Sequence, residues 1–272
     1  MAFTSDPKAA RQELERRKAE CYNREQGTLN QQDDYNCPLC RNRGKTVELV
    51  MEDGEEKAKF FECRCMNVRR TITRMQRSGR QDVISKYTLN SFRVENDFQR
   101  TLKEAAQGYL EAGTGWFFIG GQSGCGKSHI GTAIFRELLL AGNPCRYMAW
   151  REDVPRLKKL LHSEGDEYCA AVDQFKQAQV LYIDDLFKTG RENGGRFQRP
   201  TVADINLAYE ILNYRADRPK LRTILSSECL LEQLIEIDEA IGGRIAELST
   251  PYVFSISPDR TKNYRLRGMG TL

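Results

Sequence analysis

At 272 residues the chain has room for one sizeable α/β domain and a smaller appendage. Its 40% hydrophobic and 29% charged residues suffice for a packed core and exclude a disordered chain, while a net charge of +4 is too slight to argue for nucleic acid by itself. No apolar run approaches the roughly eighteen residues of a membrane span, and the N-terminus is charged where a signal peptide is apolar, so a cytoplasmic protein with no membrane partner is expected.

Residues 8–26 (KAARQELERRKAECYNREQ) predict a charged helix with pairs such as Glu15 with Lys18 and Glu20 with Arg24, either solvated or docking a partner. Residues 36–66 then carry NCPLC and an alternating TVELVMEDGEEKAKFFECRC, in which Asp53-Gly54 marks a hairpin turn. That hairpin brings together two thiolate pairs, Cys37-x-x-Cys40 and Cys63-x-Cys65. Four thiolates suit tetrahedral zinc, with buried or redox thiols as the alternative. Arg64, Arg69, Arg70, Arg74, Arg77 and Arg80 follow with no acidic residue between them and predict one helix ending near Gly79. The expected division is an N-terminal module over 1–88 and a second domain over 89–272.

The second half alternates helical and strand patterns, the signature of a parallel sheet with crossover helices. A helix over 97–112 stops at Gly113. Strands are predicted over 116–119, 146–149, 180–184, 223–226 and 252–256, and helices over 127–140 and 202–216. Residues 188–200, KTGRENGGRFQRP, form the clearest long loop. Cys21, Cys145, Cys169 and Cys229 lack ligand spacing and are expected to pack; His129 and His162 are isolated and receive no metal role.

Gly121, Gln122, Ser123, Gly124, Cys125, Gly126, Lys127 and Ser128 match G-x-x-x-x-G-K-[ST] in full, after an apolar strand and before a helix. Glycines let the backbone curl so that its N–H groups face phosphate oxygens, and the helix N-terminus adds a favourable dipole. ATP is the expected ligand, with Lys127 reaching the β- and γ-phosphates, Ser128 holding Mg²⁺, and His129 closing the binding segment. Cys125 is read as a filler. Downstream, VLYI ends in Asp184 and Asp185, the Walker B pattern: Asp184 is expected to bind the metal directly or through water, and Asp185 to orient or deprotonate the attacking water.

Taken in order, Gly121 to Ser128, Ile183 to Asp185, Thr223 to Ser227, Ile241 to Leu248 and Asn263 to Arg265 resemble the AAA+ ATPase domain of DnaC/DnaI-type helicase loaders, particularly phage and prophage versions. The likeness runs from about residue 87 to the C-terminus. It implies a P-loop AAA+ domain with a five-stranded parallel sheet, joined to a small N-terminal helical and zinc-binding domain. By the same resemblance Ser226 or Ser227 acts as sensor 1, Arg244 as an arginine finger completing a neighbouring subunit's site, and Arg265 as sensor 2. A finger in trans implies self-association. Many AAA+ enzymes carry glutamate where Asp185 stands, and its shorter reach predicts slow, switch-like hydrolysis. Loaders of this kind contact a replicative DnaB-type helicase through a zinc-bearing N-terminal domain, and relatives lay an extra helix against single-stranded DNA. Here residues 151–179, with Leu157, Lys158, Lys159 and Leu160, correspond, and the cations Lys188, Arg191, Arg196 and Arg199 suit strand phosphates. The expected function is therefore ATP-dependent delivery of that helicase onto single-stranded DNA. The alternatives are an IstB-like transposition helper ATPase, or a nucleotide-gated adaptor with negligible hydrolysis whose zinc module recognises protein or RNA.

Overall fold

The computed structural model describes residues 7–75, 86–161, 166–188, 199–259 and Tyr264. The chain divides into two units, Met1–Thr73 and Arg74–Leu272.

The first unit contains α1 (Pro7–Arg24), α2 (Asn30–Asp33), β1 (Lys45–Glu52), β2 (Glu55–Glu62) and, crossing the unit boundary, α3 (Cys65–Met75). β1 and β2 pair antiparallel from Lys45↔Glu62 to Glu52↔Glu55. Asp53 and Gly54 both take positive φ, as a tight two-residue hairpin turn requires. The charged N-terminal helix is neither solvated all round nor a free arm, because it lies on this ribbon. The Asn23 amide donates to the Val47 carbonyl at 2.8 Å and accepts the Val47 N–H at 3.0 Å, taking the place of a neighbouring strand on the β1 edge. Glu15 accepts the Ala58 N–H at 3.0 Å, Arg16 pairs with Glu56 at 2.8 Å, and Tyr22 meets the Phe60 ring edge-on at 4.8 Å. With Tyr22 and Asn23 turned to the ribbon, Cys21 is exposed, against the expectation that it packs. The predicted continuation of α3 toward Gly79, with Arg77 and Arg80, lies outside the described residues.

The second unit runs α4 (Asp97–Ala112), β3 (Trp116–Gly121), α5 (Lys127–Leu140), β4 (Cys145–Ala149), α6 (Trp150–Leu160), α7 (Glu167–Lys176), β5 (Val180–Leu186), α8 (Val202–Ala216), β6 (Arg222–Ser227), α9 (Leu231–Ile237), α10 (Glu239–Ser249) and β7 (Val253–Ile256). The five strands form one all-parallel sheet in the order β4-β5-β6-β3-β7, the predicted architecture. Side chains alternate across it. Trp116, Phe118, Met148, Leu181, Ile183 and Leu225 join a core with residues of α6, α8 and α10. On the other face Phe117, Tyr147 and Tyr182 meet the rings of Tyr109 and Phe135. The helix entries are written locally: Asn96 accepts the Gln99 N–H at 2.9 Å, and Thr201 with Asp204 forms a reciprocal capping box for α8. Cys169 is exposed on α7 rather than packed.

Arg215 is fully buried and meets no carboxylate in its hydrogen bonds. Its guanidinium donates to the carbonyls of Phe175, Lys176, Ala178 and Arg222 and to the Thr223 hydroxyl, tying the end of α7 to β6. Burial pulls its pKa down to about 10.

Candidate nucleotide site and four-cysteine centre

In the first unit Cys37, Cys40, Cys63 and Cys65 are buried, with their sulfur atoms all within 4.8 Å of one another. Cys37 and Cys63 are 3.8 Å apart at sulfur, and Cys40 and Cys65 3.4 Å. A disulfide needs about 2.05 Å, whereas the sulfur–sulfur edge of a zinc tetrahedron with Zn–S near 2.3 Å is about 3.8 Å. The cluster therefore fits a tetrahedral zinc module. Its surroundings orient the ligands: the Gly44 N–H points at the Cys40 sulfur at 3.3 Å, and the Cys37 N–H donates to Asn42 at 2.8 Å. Buried Arg69 pairs with Asp33 and donates to the Tyr35 carbonyl at 3.0 Å and to Asn42 at 2.9 Å.

In the second unit the phosphate loop joins the carboxyl end of β3 to α5, beside the ends of β5 and β6, where open α/β sheets place their ligands. Gly126 is the N-cap of α5 at φ 98°, and a Cβ there would stand 3.0 Å from the Phe92 ring. Any other residue is thus strained and crowded at this position. Above the loop lies a cavity of about 600 Å³, within the usual range for a small-molecule site. Ser123, Gly124, Gly126, Lys127 and Ser128 form its floor. Gly121, Gln122 and Cys125 support the loop from behind: the Gln122 amide donates to the Asp259 carbonyl at 2.9 Å, and the buried Cys125 thiol to the Gln122 carbonyl at 2.9 Å. The Lys127 ammonium donates to the carbonyls of Gly121 and Gln122 at 2.8 Å each, and burial lowers its pKa.

His129, expected at the end of the binding segment, is part of the cavity wall. It bonds the Thr88 carbonyl through Nε2 at 2.9 Å, stacks on Tyr87 at 4.6 Å and meets Phe92 edge-on at 5.2 Å. Burial lowers its pKa, favouring the neutral ring. Tyr87, Phe92 and Tyr264 complete an aromatic wall that motif reading misses, since two of them precede α4 and one follows β7. Tyr264 also caps the loop, its N–H donating to the Gly124 carbonyl at 2.9 Å.

The two aspartates diverge. Asp184 is buried and accepts hydroxyls from Tyr147 at 2.8 Å, Tyr182 at 3.0 Å and Ser226 at 2.6 Å. Asp185 lines the cavity with Lys127 and Ser128. The ladder between β5 and β6 is irregular between Ile183 and Leu186, and Asp185 sits at φ 60°, so a bulge re-aims its side chain. Ser226 bridges the pair, donating to Asp184 and accepting the Asp185 N–H at 3.0 Å, while Ser227 donates to the Leu186 carbonyl at 2.8 Å. Neither serine lines the cavity, but Glu228, next in the chain, does. Lys188 bonds Asp185 at 3.0 Å and Glu228 at 2.8 Å. Burial opposes its charge, yet the two carboxylates hold the ammonium above its ordinary pKa. A sequence signal for both existed: Lys188 follows Asp185 by three residues, and Glu228 comes directly after β6, at the same carboxyl edge of the sheet as Asp185 near the end of β5.

Other expected residues stand apart. Arg244 lies half-buried on α10, donating to the Ala240 carbonyl at 3.1 Å and facing the Tyr209 ring at 5.2 Å, away from its own chain's cavity. Arg265, Arg191 and Arg196 lie outside the described residues. Of the residues expected against DNA, Leu157 is core, and Lys158 pairs with Asp204 at 2.5 Å and Thr201 at 3.0 Å. Both serve packing and capping of α8, while Lys159 is exposed.

A parallel sheet with a phosphate loop after β3 and paired aspartates at the end of β5 defines the AAA+ class of P-loop nucleotide-binding proteins. No protein-family model matches the chain. It is 32% identical to the phage-like element PBSX protein XkdC of Bacillus subtilis over 86% of this chain and 88% of that protein, and 27% identical to YqaM of the same organism over 94% and 93%. The replicative helicase loader DnaC of Escherichia coli is 27% identical over 53% of this chain and 58% of DnaC. Among solved structures, the crystal structure of the DnaC helicase loader matches 63% of this chain and 98% of its own with a TM-score of 0.50 at 19% identity. The replication initiator DnaA bound to AMPPCP and single-stranded DNA matches 65% and 51% with a TM-score of 0.51 at 21% identity. The chain belongs to the same family as the phage-like element protein XkdC, and it is similar to DnaC/DnaI-type AAA+ replication proteins. Among the described residues no helix is long and apolar enough to cross a membrane.

Proposed function

We propose that the chain is an ATP-dependent helicase loader that binds a replicative DnaB-type helicase and delivers it onto single-stranded DNA in the cytoplasm. The observation that carries this reading is the presence, in a chain related to a named helicase loader, of a cavity bringing Lys127, Ser128 and Asp185 together. Residues 1–73, with the zinc-fitting cysteines, are assigned to the helicase and residues 74–272, which include Tyr87 of the cavity wall, to the ATPase.

The loop amides and Lys127 take the triphosphate, and the aromatic wall of Tyr87, Phe92 and Tyr264 takes the base. Ser128 would hold Mg²⁺ directly and Asp184, enclosed by three hydroxyls and not part of the cavity wall, through a water; the ion would neutralise charge on the phosphates. Asp185 orients the attacking water, and Ser226 couples it to Asp184 through the two bonds it makes. Pairing of Asp185 with Lys188 supports slow, switch-like hydrolysis, since that carboxylate must be released before it can act on water. Arg244, outside its own chain's cavity, is assigned to a neighbouring subunit's nucleotide, so the active form is an oligomer. Arg265 keeps its assignment as sensor 2.

The test mixes the full chain with a replicative helicase, ATP and single-stranded DNA, followed by light scattering and ATPase assay. A complex is expected with the native chain and lost with the double variant Cys37→Ser/Cys40→Ser. Lys127→Ala is expected to abolish ATP binding, and ATP affinity that survives it would overturn the nucleotide site itself.

A further inference from the structure

Tyr147 and Tyr182 are cross-strand partners in the β4–β5 ladder, with ring centroids 5.4 Å apart on the face covered by α5. Asp184 follows Tyr182 by two residues and so shares that face. Both tyrosines are buried in an apolar setting next to Phe135, where a hydroxyl needs a partner. Both find it on the same carboxylate: Tyr147 donates to Oδ2 at 2.8 Å and Tyr182 to Oδ1 at 3.0 Å. Ser226 adds a third donor on Oδ1 at 2.6 Å. The helix above makes room for this. A Cβ on Gly131 of α5 would stand 2.7 Å from the Tyr182 hydroxyl and 2.8 Å from the ring carbon bearing it, so a glycine at this position is what lets that hydroxyl occupy its place.

Packing alone would have been served by phenylalanine at both positions. Two hydroxyls converging from different strands on opposite oxygens of one buried carboxylate fix its plane and compensate the burial of its charge. We propose that Tyr147 and Tyr182 are positioning residues of the ATPase site, holding the buried Asp184 carboxylate in the orientation from which it would grip magnesium through a bound water at the cavity edge. This rests on the assignment of Asp184 to the metal. The hydroxyls act as outer ligands do in metal sites, where loss of the group orienting a ligand weakens metal binding by roughly 10–100-fold.

The experiment titrates Mg²⁺ into the full chain with a fluorescent ATP analogue and follows nucleotide binding rather than turnover. For Tyr147→Phe/Tyr182→Phe, nucleotide affinity without Mg²⁺ is expected to stay at the native level, while the Mg²⁺ concentration that half-saturates the complex rises roughly tenfold or more. Gly131→Ala, which displaces the Tyr182 hydroxyl without removing it, is expected to shift the same midpoint in the same direction. It serves if the double variant fails to fold. Asp184→Asn separates the two ideas. A midpoint moved by Asp184→Asn and unmoved by the tyrosine and glycine variants overturns the positioning role, whereas one unmoved by Asp184→Asn overturns the metal assignment on which it rests.

Discussion

Among the described residues of Met1–Thr73, four of the eight buried apolar side chains are the cysteines Cys37, Cys40, Cys63 and Cys65, with Ala19, Val47, Val68 and Ile72 making up the rest. Leu49, Met51, Phe60 and Phe61 stand exposed on the ribbon. In the second unit the buried set is dominated by large aliphatic and aromatic residues from both faces of the sheet, such as Phe117, Phe118, Ile134, Leu181 and Ile211. A segment that buries so little apolar surface cannot offset its conformational entropy by packing, and a metal cross-link is a usual remedy. The comparison teaches that one chain uses two sources of order: ligand chemistry in the first unit, hydrophobic burial in the second. Buried arginines repeat the contrast. Arg69 is held by a carboxylate, Asp33, whereas Arg215 is held by main-chain carbonyls.

The sharpest way to break this contrast is to remove the metal. Structural zinc is worth about 10–16 kcal/mol of apparent binding free energy in small modules, so a zinc-selective chelator with Mg²⁺ kept in excess, or Cys63→Ser, is expected to unfold the first unit. Both tryptophans, Trp116 and Trp150, lie in the second unit. Amide exchange should therefore rise over residues 7–73 while tryptophan fluorescence and ATP affinity stay unchanged; protection that survives chelation would contradict the ligand-organised reading.

Arg215→Met comes next. It leaves several buried carbonyls unpaired at about 1–3 kcal/mol for an unsatisfied group, so a loss of about 3 kcal/mol or more is expected in urea unfolding followed by tryptophan fluorescence. A loss under about 1 kcal/mol would mean the carbonyls find other donors.

Lys188→Met frees Asp185 and Glu228 from their shared ammonium. Hydrogen bonds to charged groups contribute about 1.5–3 kcal/mol, and a roughly tenfold rise in turnover at saturating ATP corresponds to about 1.4 kcal/mol. Phosphate-release assays read it directly, and slower turnover would show that Lys188 assists hydrolysis instead of restraining it.

The smallest effect concerns Asp204. Burial works to raise its pKa, but Lys158 and the Thr201 hydroxyl and amide hold it below the ordinary value. A carboxyl lowered in the folded state stabilises fully above its unfolded pKa, near 3.9, and loses that contribution as pH falls through the lower folded value. Asp204→Asn, which keeps an acceptor for the cap and loses the charge that pairs with Lys158, is therefore expected to cost at most about 1 kcal/mol at neutral pH. The gap to the native chain should close in acid unfolding curves below roughly pH 4, and a gap independent of pH would tie the loss to the cap geometry alone.

Much of the second unit was legible in the chain itself. The glycine-rich turn between an apolar strand and a helix, the VLYIDD strand end and the alternation of periods announce a parallel sheet with its ligand at the carboxyl ends, because each is written within a few consecutive residues. Helices at Asp97–Ala112, Lys127–Leu140 and Val202–Ala216 run between the bounds their caps and apolar periods predict. The cysteine spacing likewise announced a metal-fitting cluster. Residues that act across the fold were not legible: Tyr87 and Tyr264 flank the domain in sequence yet meet at one cavity, and Lys158 looked like a DNA-facing cation until Asp204 was beside it.

What the sequence determined by itself, then, were features whose partners are near neighbours in the chain: the phosphate loop, the hairpin, the caps and the thiolate pairs. Tertiary structure alone decided which aspartate is enclosed by hydroxyls and which faces the cavity, because a bulge in β5 and its pairing with β6 set those directions. It also decided that α1 lies on the ribbon, through long-range bonds from Asn23 and Glu15 that no local period encodes.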